Sequence, residues 1–428
     1  MIVSFSVENF RSIDDRITLS FEASAAIKDM DNEGFTMIAG GRILNAKAFF
    51  GANSSGKSNV FRAVARMRSL VIQSVRLNNN EQLRYEPFLL SNKPPRYTEF
   101  EMSFIDGVDT FRYGFKYNAM GIEEEWLMAK FPKRSLKSLL RRTKNGIETD
   151  DVYFSEGDAI KSGSIPLNNN RLFISLAAQL GGTLSNRIIE WFRTKVNVIS
   201  GIRDENFSQY TKEAIHTDEI YRSNILNFIA AMGVGFSEVK TEQVDIDELR
   251  FPKGLPAEFI ASLKEHPQIN AYSLHAKYDA DGKKVGVIDF EIEDKESDGT
   301  RKLFNLAGPV VDTLKQGKIL FVDELDAQLH PLLSRRIVNL FNKPQSNPLG
   351  AQLIFTTHDT NMLSKKLLRR DQVLFVEKDT LESTHLTSMM DIKLDNGAKP
   401  RTDSNYEKNY LEGKYGAIPY FESDFEGC

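Results

Sequence analysis

Residues Ala46 to Asn59 read AKAFFGANSSGKSN, and this stretch constrains the fold more than any other. An apolar run, Ala46 to Phe50, leads into Gly51-Ala52-Asn53-Ser54-Ser55-Gly56-Lys57-Ser58, which has the glycine, lysine and hydroxyl spacing of a P-loop. Strand, anion-binding loop and helix are therefore expected in direct succession. Glycine tolerates positive φ, so the backbone can bend until several N–H groups converge on phosphate oxygens. The helix that begins at Ser58 turns the positive end of its dipole toward the same anion. In this pattern Lys57 neutralises β/γ-phosphate charge and Ser58 ligates Mg²⁺, with Asn53, Ser54, Ser55, Gly56 and Asn59 completing the nucleotide-binding set.

A chain of 428 residues can hold one large α/β domain with insertions, or two or three domains. Its net charge of −4 supplies no global field for nucleic acid, so any such contact needs a local basic patch. The single cysteine, Cys428, excludes a disulfide framework and cysteine-rich metal sites, and fits a reducing cytoplasm. The opening MIVSFSVENF has neither the basic nor the apolar region of a signal peptide, and no window approaches a membrane-spanning run.

Alternation over Ile2 to Val7 and Ile17 to Phe21 predicts two strands around Asn9-Phe10-Arg11-Ser12-Ile13, with Arg11 placed either near the nucleotide or in a solvated turn. Asn59 to Ser74 has helical spacing of Val60, Ala63, Val64, Met67, Leu70 and Val71. Thr98 to Phe104 and Thr110 to Tyr117 around Asp106-Gly107 read as a hairpin, and Gly121 to Phe131 as a further strand, making a β-rich arm. Gln82 is the nearest candidate for a Mg²⁺-contacting glutamine. The run PKRSLKSLLRRTK, Pro132 to Lys144, contains no acid, and Lys133, Arg134, Arg141 and Arg142 are its candidate DNA contacts. Leu172 to Leu180, Ile188 to Val198 and Ile220 to Met232 read as helices, and Pro252, Pro256 and Pro267 break the next stretch.

Chemistry resumes near the second end. Ser297-Asp298-Gly299 precedes an apolar helix, Leu303 to Leu314, and a serine and glycine at a helix start can bind an anion. Ile319 to Val322 is a short buried strand that ends in Asp323-Glu324, two adjacent acids that would be costly in a core without a cation. Asp323 can hold the Mg²⁺ water shell and Glu324 can polarise an attacking water. Leu325-Asp326 comes next, then an amphipathic helix over Leu332 to Phe341, and the apolar strand Ala351 to Thr356 ends at Thr357-His358-Asp359. A histidine there can hydrogen-bond a γ-phosphate and report its presence. Asp371 to Glu377 reads as the last sheet strand.

GANSSGKS at Gly51 to Ser58, ESDGTRK at Glu296 to Lys302, ILFVDELDAQLHP at Ile319 to Pro331 and FTTHD at Phe355 to Asp359 occur in the order found in ABC-type ATPases. With the opening SVENFRSI, the chain resembles their soluble SMC-like branch, and within it the OLD-like, abortive-infection ATPases of the AbiLi/RloA kind. The resemblance covers residues 1–130 and 285–420 and implies an α/β P-loop head with a mixed sheet, a β-rich N-terminal arm and a compact helical insertion. It implies an N-terminal lobe over 1–130, a mainly helical insertion over 131–284 and a C-terminal lobe over 285–428.

The resemblance further implies a Mg²⁺-dependent ATPase that converts ATP and water to ADP and phosphate. Glu324 and His358 would be catalytic, and Ser58 and Asp323 would hold the metal. Ser297 and Gly299 would contact the γ-phosphate held by an opposite subunit, and Asp326 would communicate across that interface. One set of motifs per chain implies a homodimer, a higher homo-oligomer or an equivalent partner. The signature lacks the second glycine of the transporter consensus, and no clear glutamine loop can be placed. OLD-family nucleases continue into a Toprim domain, but after Glu377 the acids Asp391 and Asp395 lack Asp-x-Asp spacing. The expectation is thus a sensor or scaffold of an antiphage complex with a separate effector, a Toprim-like nuclease or similar protein. The alternative is a DNA-repair or chromosome-maintenance ATPase that binds DNA through the basic run.

Overall fold

The computed structural model describes residues 1–91, 93–94, 96–199, 205–236, 238–244, 268–393, 399–400 and 404–419. Pro252, Pro256, Pro267, Asp395 and Cys428 lie outside these described residues. The chain divides into two units: the first is Met1–Ser200, Gly317–Leu325 and Val338–Cys428, and the second is Gly201–Gln316 with Asp326–Ile337.

In the first unit, strands β1 (Ile2–Glu8) and β2 (Ile17–Ser20) pair antiparallel, and β3 (Phe35–Ile38) and β4 (Gly41–Leu44) form a separate small hairpin. The first pair extends a sheet formed by β6 (Thr98–Asp106), β7 (Asp109–Asn118), β8 (Gly121–Lys130), β9 (Lys137–Thr143) and β10 (Gly146–Thr149). The strand order is β10-β9-β8-β7-β6-β1-β2. A second sheet carries β5 (Ala46–Phe50), β11 (Val196–Ile199), β15 (Ile319–Val322), β16 (Gln352–Thr356), β17 (Val373–Lys378) and β18 (Thr384–Ser388), in the order β11-β15-β16-β5-β17-β18. All of its pairings are parallel except β17–β18, which makes the sheet mixed as expected.

Helix α1 (Lys57–Gln73) buries Val60, Phe61, Ala63, Val64, Met67, Leu70 and Val71, so the 3.6-residue spacing becomes one apolar stripe. That stripe shares a continuous core with Phe5 and Phe100 of the antiparallel sheet and with Ile319, Phe321 and Ile354 of the other. Phe61 sits edge-on between Phe49 at 5.5 Å and Phe321 at 5.3 Å. Each fully buried ring of this kind contributes about 2 kcal/mol by area alone. Helices α2 (Asp158–Lys161), α3 (Phe173–Gln179) and α4 (Thr183–Lys195) complete this unit's middle, and Phe173, Ile188 and Phe192 carry the same core onward.

The segment 131–284 does not separate from its neighbours at the boundary expected from the sequence. Its beginning is β9 and β10, which extend the antiparallel sheet because Leu139 and Leu140 are buried and Leu140 lies opposite Leu127. The helix expected over Ile188 to Val198 ends at Lys195, and Val196–Ile199 pairs in parallel with β15 instead. The β-branched Val196, Val198 and Ile199 favour that pleated position, with Val196 and Ile199 buried.

The second unit contains helices α5 (Glu205–Thr217), α6 (Glu219–Met232), α7 (Ile292–Lys295) and α8 (Asp298–Gln316), and a three-stranded sheet of β12 (Val239–Gln243), β13 (Ile269–Tyr278) and β14 (Lys284–Glu291). Helix α9 (Pro331–Asn342) matches the amphipathic pattern of Leu332 to Phe341. Helix α8 has Pro309 in its interior, which has no N–H to donate to the carbonyl of Asn305. The Thr211 hydroxyl of α5 donates to that carbonyl at 3.0 Å and accepts from the Gly308 N–H at 3.2 Å.

Candidate nucleotide-binding site

β5, β15 and β16 run parallel and release their carboxyl ends at one edge of the mixed sheet, the place where open α/β sheets bind ligands. A cleft of about 480 Å³ opens there, lined by Ser12, Asn53 to Asn59, Arg62, Asp323, Glu324, His358 and Lys378. The P-loop, both acids and the histidine thus meet in one place, although most of the chain separates Asn53 from His358.

The loop's shape depends on two positive φ angles, Ser54 at 63° and Gly56 at 103°. Gly56 is required twice, for that backbone and because a Cβ would lie 2.0 Å from Thr384 Oγ1. Lys57 Nζ donates to the Gly51 and Ala52 carbonyls at 2.8 and 2.9 Å, folding back along the loop it serves. Around the outside, Thr384 donates to the Ser55 carbonyl at 3.0 Å, and its hydroxyl lies 2.7 Å from that of Ser12. Asn59 Nδ2 donates to Ser12 Oγ at 2.7 Å.

At the end of β15, Asp323 is buried and Glu324 takes a left-handed backbone, φ 56°. Thr356, fully buried at the end of β16, donates to Asp323 Oδ1 and accepts from the Glu324 N–H, both at 2.7 Å. His358 comes two residues later and is exposed toward the cleft.

The donor set suits a magnesium nucleotide. Ser55 Oγ is buried with no hydrogen-bond partner among the described residues, inside the loop that lines the cleft. Among the described residues, no cluster of three or more His, Cys, Asp or Glu could hold a metal alone. A cation here would use Ser58 and Asp323 and share the nucleotide's phosphate oxygens, as Mg²⁺ commonly does. Lys57, Arg62 and Lys378 bring positive charge to the same cleft as the two carboxylates.

Ser297, Gly299 and Asp326 belong to the second unit. Ser297 caps α8 by accepting from the Thr300 N–H at 3.2 Å, and a Cβ on Gly299 would meet the Gln328 carbonyl at 2.7 Å. The signature helix start therefore packs directly on the segment just after Asp326.

Three sequence candidates are placed elsewhere. Gln82 is exposed and does not line the cleft. Arg11 pairs with Glu86 at 2.5 Å, and Glu86 also takes Arg66 at 2.8 Å. Arg142 is buried, so it is removed from the DNA-contact set: it donates to the Arg171 carbonyl at 2.7 Å and lies 3.6 Å from Glu125. Burial raises the Glu125 carboxyl above its ordinary range, opposed by the Arg142 charge. Lys133, Arg134 and Arg141 are exposed.

Sequence patterns do not mark Ser12, Arg62 or Lys378 as cleft residues, nor Thr356 and Thr384 as the outer partners of Asp323 and Ser55. Ser12 stands within the opening SVENFRSI, and Thr356 is two residues before His358; nothing local marks Thr384. The tail also reaches this region. Tyr410 of helix α10 (Tyr406–Leu411) stacks on Phe375 at 5.4 Å, and the Thr360 hydroxyl donates to Glu407 at 2.9 Å.

Fold and cleft together define an α/β ATPase head of the P-loop class, resembling the ABC type. The chain belongs to the family described as "AAA domain, putative AbiEii toxin, Type IV TA system", whose model matches residues 48–364. Similar solved structures include an SmcHead bound to the C-winged helix domain of ScpA, at 13% identity and TM-score 0.44, covering 90% of this chain and 97% of that one. Another is an Smc head domain with an extended coiled coil bound to the C-terminal domain of ScpA, derived from Pyrococcus furiosus, at 14% identity and TM-score 0.38, covering 90% of this chain and 96% of that one. No curated protein matches the chain. No described helix is long and apolar enough to cross a membrane.

Proposed function

We propose that the chain is a Mg²⁺-dependent ATPase that dimerises around ATP and acts as the sensor or scaffold of a bacterial antiphage complex of the abortive-infection, OLD-like kind. The observation that carries the ATPase reading is the convergence of Lys57, Ser58, Asp323, Glu324 and His358 on one cleft. Bound Mg²⁺ would offset charge on the β/γ-phosphate oxygens. Lys57 neutralises the same oxygens, Ser58 and Asp323 hold the cation, Glu324 takes the proton of the attacking water, and His358 hydrogen-bonds the γ-phosphate. Ser297 and Gly299 complete the site of a second copy, with Asp326 linking the two.

The family description names a toxin and a toxin–antitoxin system, which supports a defensive role over chromosome maintenance. A separate effector, Toprim-like nuclease or similar, supplies the output, and the complex works in the cytoplasm. The competing reading, direct DNA binding, loses one of its four basic candidates because Arg142 is committed to Glu125.

The deciding experiment is Glu324→Gln. Turnover should drop by roughly 10² to 10⁴-fold while ATP binding is retained. Turnover at the wild-type rate overturns the assigned mechanism. Purification of the protein with its genomic neighbours co-expressed in ATP, followed by mass determination, tests the complex. A stoichiometric second protein supports the effector reading, and a bare dimer that shifts DNA overturns it.

A further inference from the structure

The Thr356 side chain reaches both acids at the end of β15. Its hydroxyl has a single proton, which goes to Asp323 Oδ1 at 2.7 Å, and one of its lone pairs receives the Glu324 N–H at 2.7 Å. The Thr356 carbonyl then accepts the Leu325 N–H at 3.0 Å. Three consecutive residues after the strand are thus fastened to one residue of the neighbouring strand.

We propose that Thr356 is a positioning residue for the metal and the base, an inference that rests on the roles proposed for Asp323 and Glu324. Donation to Oδ1 fixes the Asp323 carboxylate rotation and leaves Oδ2 for the cation's shell. Acceptance from the Glu324 N–H holds that residue in the left-handed conformation, φ 56°, that L side chains rarely adopt. The hydroxyl is fully buried between two strand ends, so water cannot replace it. Outer partners of metal-holding side chains commonly set metal affinity by tenfold or more. Thr356 is the last residue of its strand and His358 follows two residues later, so the strand end that leads to the phosphate-facing histidine also carries the acids' anchor.

The test is the Mg²⁺ dependence of ATP binding, measured by calorimetry on the full chain, in EDTA and in Mg²⁺. Thr356→Val keeps the shape and removes the hydroxyl; Thr356→Ser keeps the hydroxyl. Binding in EDTA should match wild type in both, since the P-loop is untouched. The gain in affinity on adding Mg²⁺ should fall about tenfold in Thr356→Val and stay near wild type in Thr356→Ser. Should Thr356→Val fail to fold, the Thr356→Ser and Thr356→Ala pair gives the same contrast. A full Mg²⁺ gain in the variant lacking the hydroxyl, or an equal loss in Thr356→Ser, overturns the proposal, as does a wild-type protein whose ATP affinity ignores Mg²⁺. Glu324→Gln with undiminished turnover would sink the base assignment and leave this binding result standing, so the two failures are distinguishable.

Discussion

The Thr384 hydroxyl donates to the Ser55 carbonyl at 3.0 Å, so the last strand of the mixed sheet holds the P-loop from outside. The same hydroxyl occupies the space a side chain on residue 56 would need, 2.0 Å from an ideal Cβ. Loop shape is therefore set jointly by a glycine and by a residue 329 positions from the carbonyl it holds.

Gly56→Ala should lose ATP binding by at least tenfold, because both the positive φ and the Thr384 contact oppose a methyl group. Thr384→Val should cost about 1–3 kcal/mol by leaving buried polar partners unsatisfied. Calorimetric titration with ATP and a thermal melt measure the two effects. ATP binding of Gly56→Ala at wild-type affinity contradicts this account of the loop.

Lys47 in β5 is buried, donates to the Ser20 carbonyl and sits 5.5 Å from the Phe21 ring centre. Burial pushes its ammonium down to about 8, partly opposed by Asp371. Because the folded value lies below the unfolded 10.5, the folded chain releases this proton first. The cost of burying the charge is fully present below pH 8 and relieved as pH rises toward 10.5. Lys47→Met should remove that pH dependence and stabilise the protein at pH 7, by at most about 3 kcal/mol. Denaturant melts at pH 7 and pH 10 would show the two curves converge; parallel curves refute the assignment.

Arg141 and Arg142 are neighbours on β9 with opposite fates. Arg142→Met leaves the Glu125 carboxylate buried without its cation and should cost about 3–5 kcal/mol. Arg141→Ala, on the exposed side, should change stability by less than about 0.5 kcal/mol. Equal losses in urea melts would mean that the register of β9 on β8 is wrong.

Thr211→Val should destabilise by about 1–3 kcal/mol, because the Asn305 carbonyl beside Pro309 then has no donor from α5. Pro309→Ala restores an N–H to that turn, so the loss in the double variant should be smaller than the sum of the singles. A double-mutant cycle by chemical denaturation reads this coupling. Strict additivity counts against the link between proline and threonine.

The sequence by itself determined the strand, loop and helix from Ala46 onward, the acid pair ending an apolar strand, and the histidine ending another. These are local signals, carried by glycine, by hydrophobic spacing and by adjacent charges, and they survive without knowing what lies opposite. Only the tertiary structure decided that β9 and β10 join the antiparallel sheet, because pairing register selects which of two adjacent arginines is buried. It likewise brought Ser12 to the cleft and set Thr356 and Thr384 behind it, against Asp323 and the Ser55 carbonyl. A lone threonine hydroxyl has no periodicity to announce it; its role exists only once two distant strand ends lie side by side.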